Sequence, residues 1–193
     1  MQNLTRLKTF IQEFTRLVDR IGDDEQAIFV SGKSLLQDLV LHDDWLPEDF
    51  AKADLNRYQQ YLLHCDPLER FSIASFVWGP GQCTPIHDHT VWGMVGVMRG
   101  GELCEEFCVD DSTGLIVAEG KHLLEIGGVD LVSPQVGDIH RVSNSFNDQV
   151  SISIHIYGAN IGIVNRHTYD LDTGNKQLFV SGYSNPSLPN VWG

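Results

Sequence analysis

The amino-acid sequence predicts a mainly β protein: a barrel of short strands with an N-terminal α-helical region. Three observations lead there. Apolar residues recur at three- and four-residue spacing over residues 1–55 and at strand spacing afterwards. From Arg57 onward, Gly, Pro, Asn and Asp cut the chain into segments of strand length. The chain has 193 residues, enough for one domain with a sizeable core, and helices followed by strands suit a barrel covered at one end.

The elements follow in order. Leu4, Leu7, Phe10, Ile11, Phe14, Leu17 and Val18 form one apolar stripe, with Asn3 as N-cap and Gly22 as terminator. Asp23, Asp24 and Glu25 suit the positive end of a second helix, whose stripe continues through Leu35, Leu36, Leu39 and Val40. Pro47, Glu48 and Asp49 fit the first turn of a short third helix. Arg57 to His64 and Phe71 to Trp78 form a hairpin across Cys65-Asp66-Pro67. Further strands are expected at Val91 to Met98, Glu102 to Val109, Leu115 to Ala118, Lys121 to Ile126, Ile139 to Val142, Val150 to Tyr157 and Gly162 to Thr168. The result is one domain: a helical cover (1–55), a β-barrel (56–180) and a C-terminal arm (181–193). Leu188, Val191 and Trp192 would anchor the arm if it wraps the barrel; otherwise it frays.

Thirteen basic against 26 acidic residues give a net charge of −13. That surface repels phosphate backbones, which argues against nucleic acid as a partner. No apolar run reaches the ~20 residues needed to span a bilayer, so no membrane partner is expected. The N-terminus has neither a continuous apolar stretch nor a small-residue cleavage site, and a cytoplasmic location is expected. Cys65, Cys83, Cys104 and Cys108 then read as reduced, buried thiols. A zinc site on Cys104 and Cys108 would lack a second close pair.

Chemistry concentrates in three segments. Gly81-Gln-Cys-Thr-Pro-Ile-His87-Asp-His89-Thr-Val-Trp-Gly93 puts two histidines on one strand face, able to aim at one point. Alone, His-x-His is a weak signal. Pro134-Gln-Val-Gly137-Asp-Ile-His140 adds a third histidine after a turn. Val150-Ser-Ile-Ser153-Ile-His155-Ile-Tyr157 alternates strictly, with Ile152, Ile154 and Ile156 on one face and Ser151, Ser153, His155 and Tyr157 on the other. A polar face in water is the ordinary reading. The absence of Lys and Glu instead suggests a hydrogen-bonded line inside the barrel, with Ser153 fixing the His155 tautomer and His155 orienting Tyr157.

The two histidine segments resemble the paired motifs of the cupin superfamily, which implies a jelly-roll-like cupin β-barrel with His87, His89 and His140 as metal ligands. Two departures stand out. Gly93 occupies the position of the usual Glu, and two residues rather than one separate Pro134 from Gly137. Three neutral imidazoles leave the ion's full charge uncompensated, which suits a substrate that brings negative charge. With Ser153, His155 and Tyr157 added, the stretch from about Tyr58 to His167 resembles the thiol dioxygenases of the cysteine dioxygenase family. The resemblance implies an Fe(II) cofactor, a small thiol and dioxygen as partners, and a sulfinate product. Gln60 stands where one branch has Arg, so the chain resembles the glutamine-type branch, similar to 3-mercaptopropionate dioxygenases. In that branch an Arg matching Arg166 is implicated in carboxylate binding. Some eukaryotic members carry a Cys at the Gly93 position, cross-linked to the Tyr; here Tyr157 is expected to be a free phenol. Cysteine as substrate, a non-catalytic metal-binding cupin and an isomerase-like cupin using zinc or manganese remain the alternatives. His42, His64, His122 and His167 are not expected as ligands, and Trp78 and Trp92 are expected to pack.

Overall fold

Two amphipathic helices precede every strand. The computed structural model describes residues 4–193, so the expected Asn3 cap lies outside the described residues. Helix α1 (Thr5–Ile21) buries Leu7, Phe10, Ile11, Phe14, Leu17 and Val18, and ends where Gly22 takes φ 68°. Helix α2 (Glu25–Val40) starts at Asp24, whose carboxylate accepts from the Ala27 N–H at 3.0 Å. Pro47 precedes a single 3₁₀ turn, Glu48–Phe50, and no longer helix forms there.

Eleven strands follow: β1 (Gln59–Cys65), β2 (Ser72–Trp78), β3 (Ile86–His87), β4 (Gly93–Arg99), β5 (Gly101–Val109), β6 (Ile116–Glu125), β7 (Val129–Val132), β8 (Ile139–Asn144), β9 (Ser151–Tyr157), β10 (Arg166–Tyr169) and β11 (Lys176–Phe179). They form a five-stranded sheet, β1-β2-β9-β4-β7, and a six-stranded sheet, β11-β10-β3-β8-β5-β6. All the pairings are antiparallel. The mainly β architecture with an N-terminal helical region is thus the one expected.

The differences are local. The two segments expected at Leu115–Ala118 and Lys121–Ile126 are one strand. Glu106 pairs with Gly120 and Phe107 with Ala118, so Glu119 is an extra residue absorbed by a bulge and not a turn. Gly162 does not open a strand: Ile161–Ile163 is a 3₁₀ turn that buries Ile161, and pairing starts only at Arg166. Strands β3, β7 and β11 have two to four residues, too few for a period to appear.

The main core lies between the helices and the outer face of the five-stranded sheet. Phe14, Leu36, Phe71, Met94, Ile152, Ile154 and Ile156 belong to it. Each such side chain contributes roughly 1.5–3 kcal/mol by leaving water. Strand β9 runs between β2 and β4 and is buried along its whole length. Its isoleucines face the helices, so its polar residues face the barrel interior and not water. The C-terminal arm lies along the edge strand β1: Ser184 N–H donates to Gln60 O at 2.8 Å, and Leu62 N–H to Asn185 Oδ1 at 2.7 Å. Val191 is buried, whereas Leu188 and Trp192 are exposed. All four cysteines are free. Cys104 alone among them is fully buried; Cys83 is exposed, in the loop after the Gly81 turn. No described helix is long and apolar enough to cross a membrane.

Candidate metal centre and active site

His87, at the end of β3, stands directly opposite His140 of β8, and His89 follows in the next loop. All three rings are buried, with centroids 4.8 or 4.9 Å apart in every pair. Each offers a nitrogen within 4.8 Å of the others, so the three can hold one metal ion. Their Nδ1 atoms are engaged elsewhere. A carbonyl only accepts, so His87 Nδ1 carries the proton donated to Pro85 O at 3.0 Å. His89 Nδ1 meets Asp138 Oδ1 at 3.1 Å, and His140 Nδ1 meets Cys104 Sγ at 3.6 Å. Nε2 of each ring is left as the ligand atom, oriented as such rings are in metal proteins. His89 Nε2 is buried without a hydrogen-bond partner. An orphaned acceptor of this kind is costly unless something binds it, and a divalent ion fits.

Burial, with His89 and Arg166 nearby, pushes His87 down to about 3. Burial and the neighbouring histidines also hold His140 well below the imidazole range. Both are therefore neutral donors at neutral pH. Burial alone would raise Asp138, but hydrogen bonds from the His89 ring and from the Thr90 and His89 backbone N–H groups hold it below the usual carboxylate range. The negative charge of the site thus sits one bond behind a ligand. A Glu at Gly93 would force its neighbours to move: a Cβ there would lie 2.8 Å from Tyr157 Cδ1 and 2.9 Å from Val132 Cγ2.

Along β9, Ser153 Oγ lies 2.8 Å from His155 Nε2, and His155 Nδ1 lies 2.8 Å from Tyr157 Oη. The line read from the alternation is therefore present. Phe76 stacks on His155 at 3.9 Å, and burial keeps His155 neutral and raises the Tyr157 phenol. Tyr157 in turn stacks on His89, centroids 5.5 Å apart.

A cavity of about 180 Å³ brings together His87, His140, His155, Tyr157, Gln60 and Arg166. His89 lies under Tyr157 and Ser153 behind His155, outside the lining. Arg166, at the start of β10, is 3% exposed. One Nη donates to Ser181 Oγ at 2.7 Å, its guanidinium lies 4.7 Å from the Phe179 ring centroid, and its Nε has no partner. Among the described residues it forms no ion pair. Gln60 Nε2 is likewise buried and unpartnered. Among the described residues, no Asp or Glu lines the cavity.

Several contributors were not marked in the sequence. Asp138, Cys104 and Pro85 anchor the ligands; Tyr58 and Phe179 line the cavity. Trp78 lines it too, and its indole N–H donates to Ser153 Oγ at 3.3 Å, so it does more than pack. Carrying the alternation of β1 back one residue past its start could have found Tyr58, two residues before Gln60. Trp92 packs against Phe14 and Phe29. His167 turns away from the triad to Asp88, 2.9 Å from its Nδ1. His122 belongs to a second metal-capable group, with Cys104 and Asp130.

A family model described as cysteine dioxygenase type I matches residues 33–170. Bos taurus cysteine dioxygenase type 1 is 26% identical over 133 residues, covering 68% of this chain and 64% of that one. The Homo sapiens protein of the same name is 27% identical over 129 residues, covering 66% and 62%. The match thus spans less than two thirds of the length of these relatives. Among solved structures, a cupin superfamily protein from Desulfitobacterium hafniense is 16% identical with a TM-score of 0.44, covering 62% of this chain and 94% of that one.

Proposed function

The chain belongs to the cysteine dioxygenase type I family, and from that premise we propose that it is an Fe(II)-dependent thiol dioxygenase. The substrate is a small carboxylated thiol, 3-mercaptopropionate before cysteine. Overall, R–SH and O₂ combine to R–SO₂H, so both oxygen atoms end on sulfur and nothing else is consumed.

The observation that carries this reading is Arg166: a buried guanidinium without a carboxylate partner, in one cavity with His87 and His140. A buried charge left unpaired is strongly disfavoured. A substrate carboxylate supplies the missing anion, and Arg166 takes it bidentately through donors that the protein leaves open. That fixes the far end of a molecule whose sulfur lies toward the histidines. Gln60 Nε2 donates from the cavity wall. Tyr157, held by His155, offers a phenol beside His89, and its raised pKa keeps it protonated as a donor. Phe76, Trp78 and Phe179 exclude water around these groups.

His87, His89 and His140 would hold the iron. The chemistry such an ion supplies is a redox centre with open positions that lowers the pKa of a coordinated thiol. With no Asp or Glu in the lining, nothing pairs with an α-ammonium, which favours 3-mercaptopropionate. The names of the curated relatives favour cysteine as the second reading.

Oxygen uptake and sulfinate formation by the iron-loaded protein test the proposal. Equimolar oxygen and sulfinate, with higher kcat/KM for 3-mercaptopropionate than for cysteine, is the expected result. Higher efficiency with cysteine selects the second reading. No uptake with either thiol refutes both and leaves a non-catalytic metal-binding protein.

A further inference from the structure

Between His87 and His89 stands a buried carboxylate, Asp88, outside the cavity lining. Every hydrogen bond of its side chain among the described residues goes to β10. Its Oδ1 accepts the His167 backbone N–H at 2.7 Å. Its Oδ2 accepts from His167 Nδ1 at 2.9 Å and from the Tyr169 hydroxyl at 2.8 Å. A carboxylate only accepts, so Nδ1 carries the proton of that ring. The Asp88 N–H donates in return to His167 O at 3.1 Å.

These bonds replace a strand that is too short. Strand β3 pairs with β10 at two positions, His87 with Thr168 and Ile86 with Tyr169, and with β8 at His87 alone. The next pair along the ladder is Asp88 with His167. There the Asp88 N–H still takes its strand partner, but the His167 N–H finds the Asp88 side chain in place of the Asp88 carbonyl. A short carboxylate can stand in for a backbone acceptor in this way. The main chain is thereby free to turn off. Thr90 takes φ 60°, and the His89 and Thr90 N–H groups go to Asp138. His89 reaches the other two histidines from that turn, while Asp88 keeps the segment fastened to β10.

Arg166 is the residue immediately before His167. The fastening therefore fixes where the guanidinium stands relative to His87 and His89. Charge-assisted bonds are short and stiff, and a misplacement of about 1 Å is enough to spoil a positioned pair of groups. A molecule bound at one end by an ion on the histidines and at the other by Arg166 must match their spacing.

We propose that Asp88 is a positioning residue for substrate length: by locking the His-x-His segment to β10, it sets the distance between the metal end of the cavity and Arg166. The proposal rests on the reading of the substrate as a carboxylated thiol. Calorimetric titration of the full chain loaded with Zn²⁺, which supplies no redox chemistry, measures thiol binding without turnover. The native chain should bind 3-mercaptopropionate more tightly than mercaptoacetate or 4-mercaptobutyrate. Asp88→Ala should reduce that preference roughly 10-fold. Asp88→Asn, which keeps an oxygen for the His167 N–H, should restore it. The double variant His167→Leu with Tyr169→Phe removes both bonds at Oδ2 and leaves the backbone pair. It should loosen the preference in the same direction, and it decides the matter if Asp88→Ala does not fold. An unchanged length preference in the variants overturns the proposal, and if Zn²⁺ affinity against a chelator falls at the same time, Asp88 serves the metal ligands alone. A native chain without length preference also overturns it. The expected pattern in a protein whose iron form oxidises no thiol supports the proposal and refutes the dioxygenase reading alone.

Discussion

Among the described residues, two groups of three side chains could hold a metal ion, and they share a neighbour. His87, His89 and His140 are buried, neutral and backed by Pro85, Asp138 and Cys104. Cys104, His122 and Asp130 also lie within reach of one ion. There, however, the His122 and Asp130 side chains are 39% and 25% exposed and already joined at 2.6 Å, and burial raises the Cys104 thiol. An ion entering the second group must break the His122–Asp130 hydrogen bond and displace a reluctant proton. At the first it meets three lone pairs, one of them orphaned. Proximity alone does not make a metal site. The second nitrogen of each ring must be committed elsewhere and the first must lack a partner.

The largest effect should come from removing a ligand. His87→Ala, measured by metal content after dialysis and by oxygen uptake, is expected to lose the ion and all thiol oxidation. His122→Ala should keep both; if it loses the ion, the ranking of the two groups is wrong. Next is Arg166→Met: if Arg166 clamps the substrate carboxylate as proposed, its loss should cost about 3 kcal/mol, or roughly 100-fold in kcat/KM for a carboxylated thiol. A thiol without a carboxylate should be nearly indifferent to it. Asp138→Asn should weaken metal affinity about 10- to 100-fold, as expected for a group that orients a ligand. A competition titration against a chelator measures this, and Cys104→Val, which removes a longer contact to His140, should weigh less.

The same contrast of buried and exposed charge yields a stability prediction. Glu102 has a raised folded pKa, about 7 against 4.5. Below about 4.5 both states are protonated, and the group makes no difference. Between these values the folded state keeps a proton that the unfolded chain has lost, so stability falls as pH rises; above about 7 the deficit is constant, about 3 kcal/mol. Glu102→Gln should therefore gain on the native chain across that window in urea unfolding. A pH-independent difference would refute the shifted carboxyl. Smallest of all, His122→Gln should change stability by less than about 1 kcal/mol, since a half-exposed pair contributes little.

How far the sequence reached differs from residue to residue. His87 and His89 were legible because a two-residue spacing on extended chain is a statement about direction. Ser153, His155 and Tyr157 were legible for the same reason, sharpened by the absence of Lys and Glu. Asp138 lay inside a quoted segment, two residues before His140, yet nothing in its type separated a ligand anchor from a turn carboxylate. Cys104 and Glu102 come from β5, 36 and 49 residues before the groups they meet, and no period connects them. The Glu119 bulge and the 3₁₀ turn at Ile161 escaped because glycine beside them reads equally as turn or bulge.

By itself, the sequence determined the local facts: helix against strand, which side chains share a face, which residue types can bind a metal, and the family they resemble. Only the tertiary structure decided which faces meet. Ile152, Ile154 and Ile156 could have faced either way until α1 and α2 packed on them and turned Ser153, His155 and Tyr157 inward. Arg166 became an unpaired cation beside the histidines only because β10 pairs with β3. The physical reason is that periodicity is written in neighbouring residues, whereas register and sheet closure sum small preferences over the whole chain.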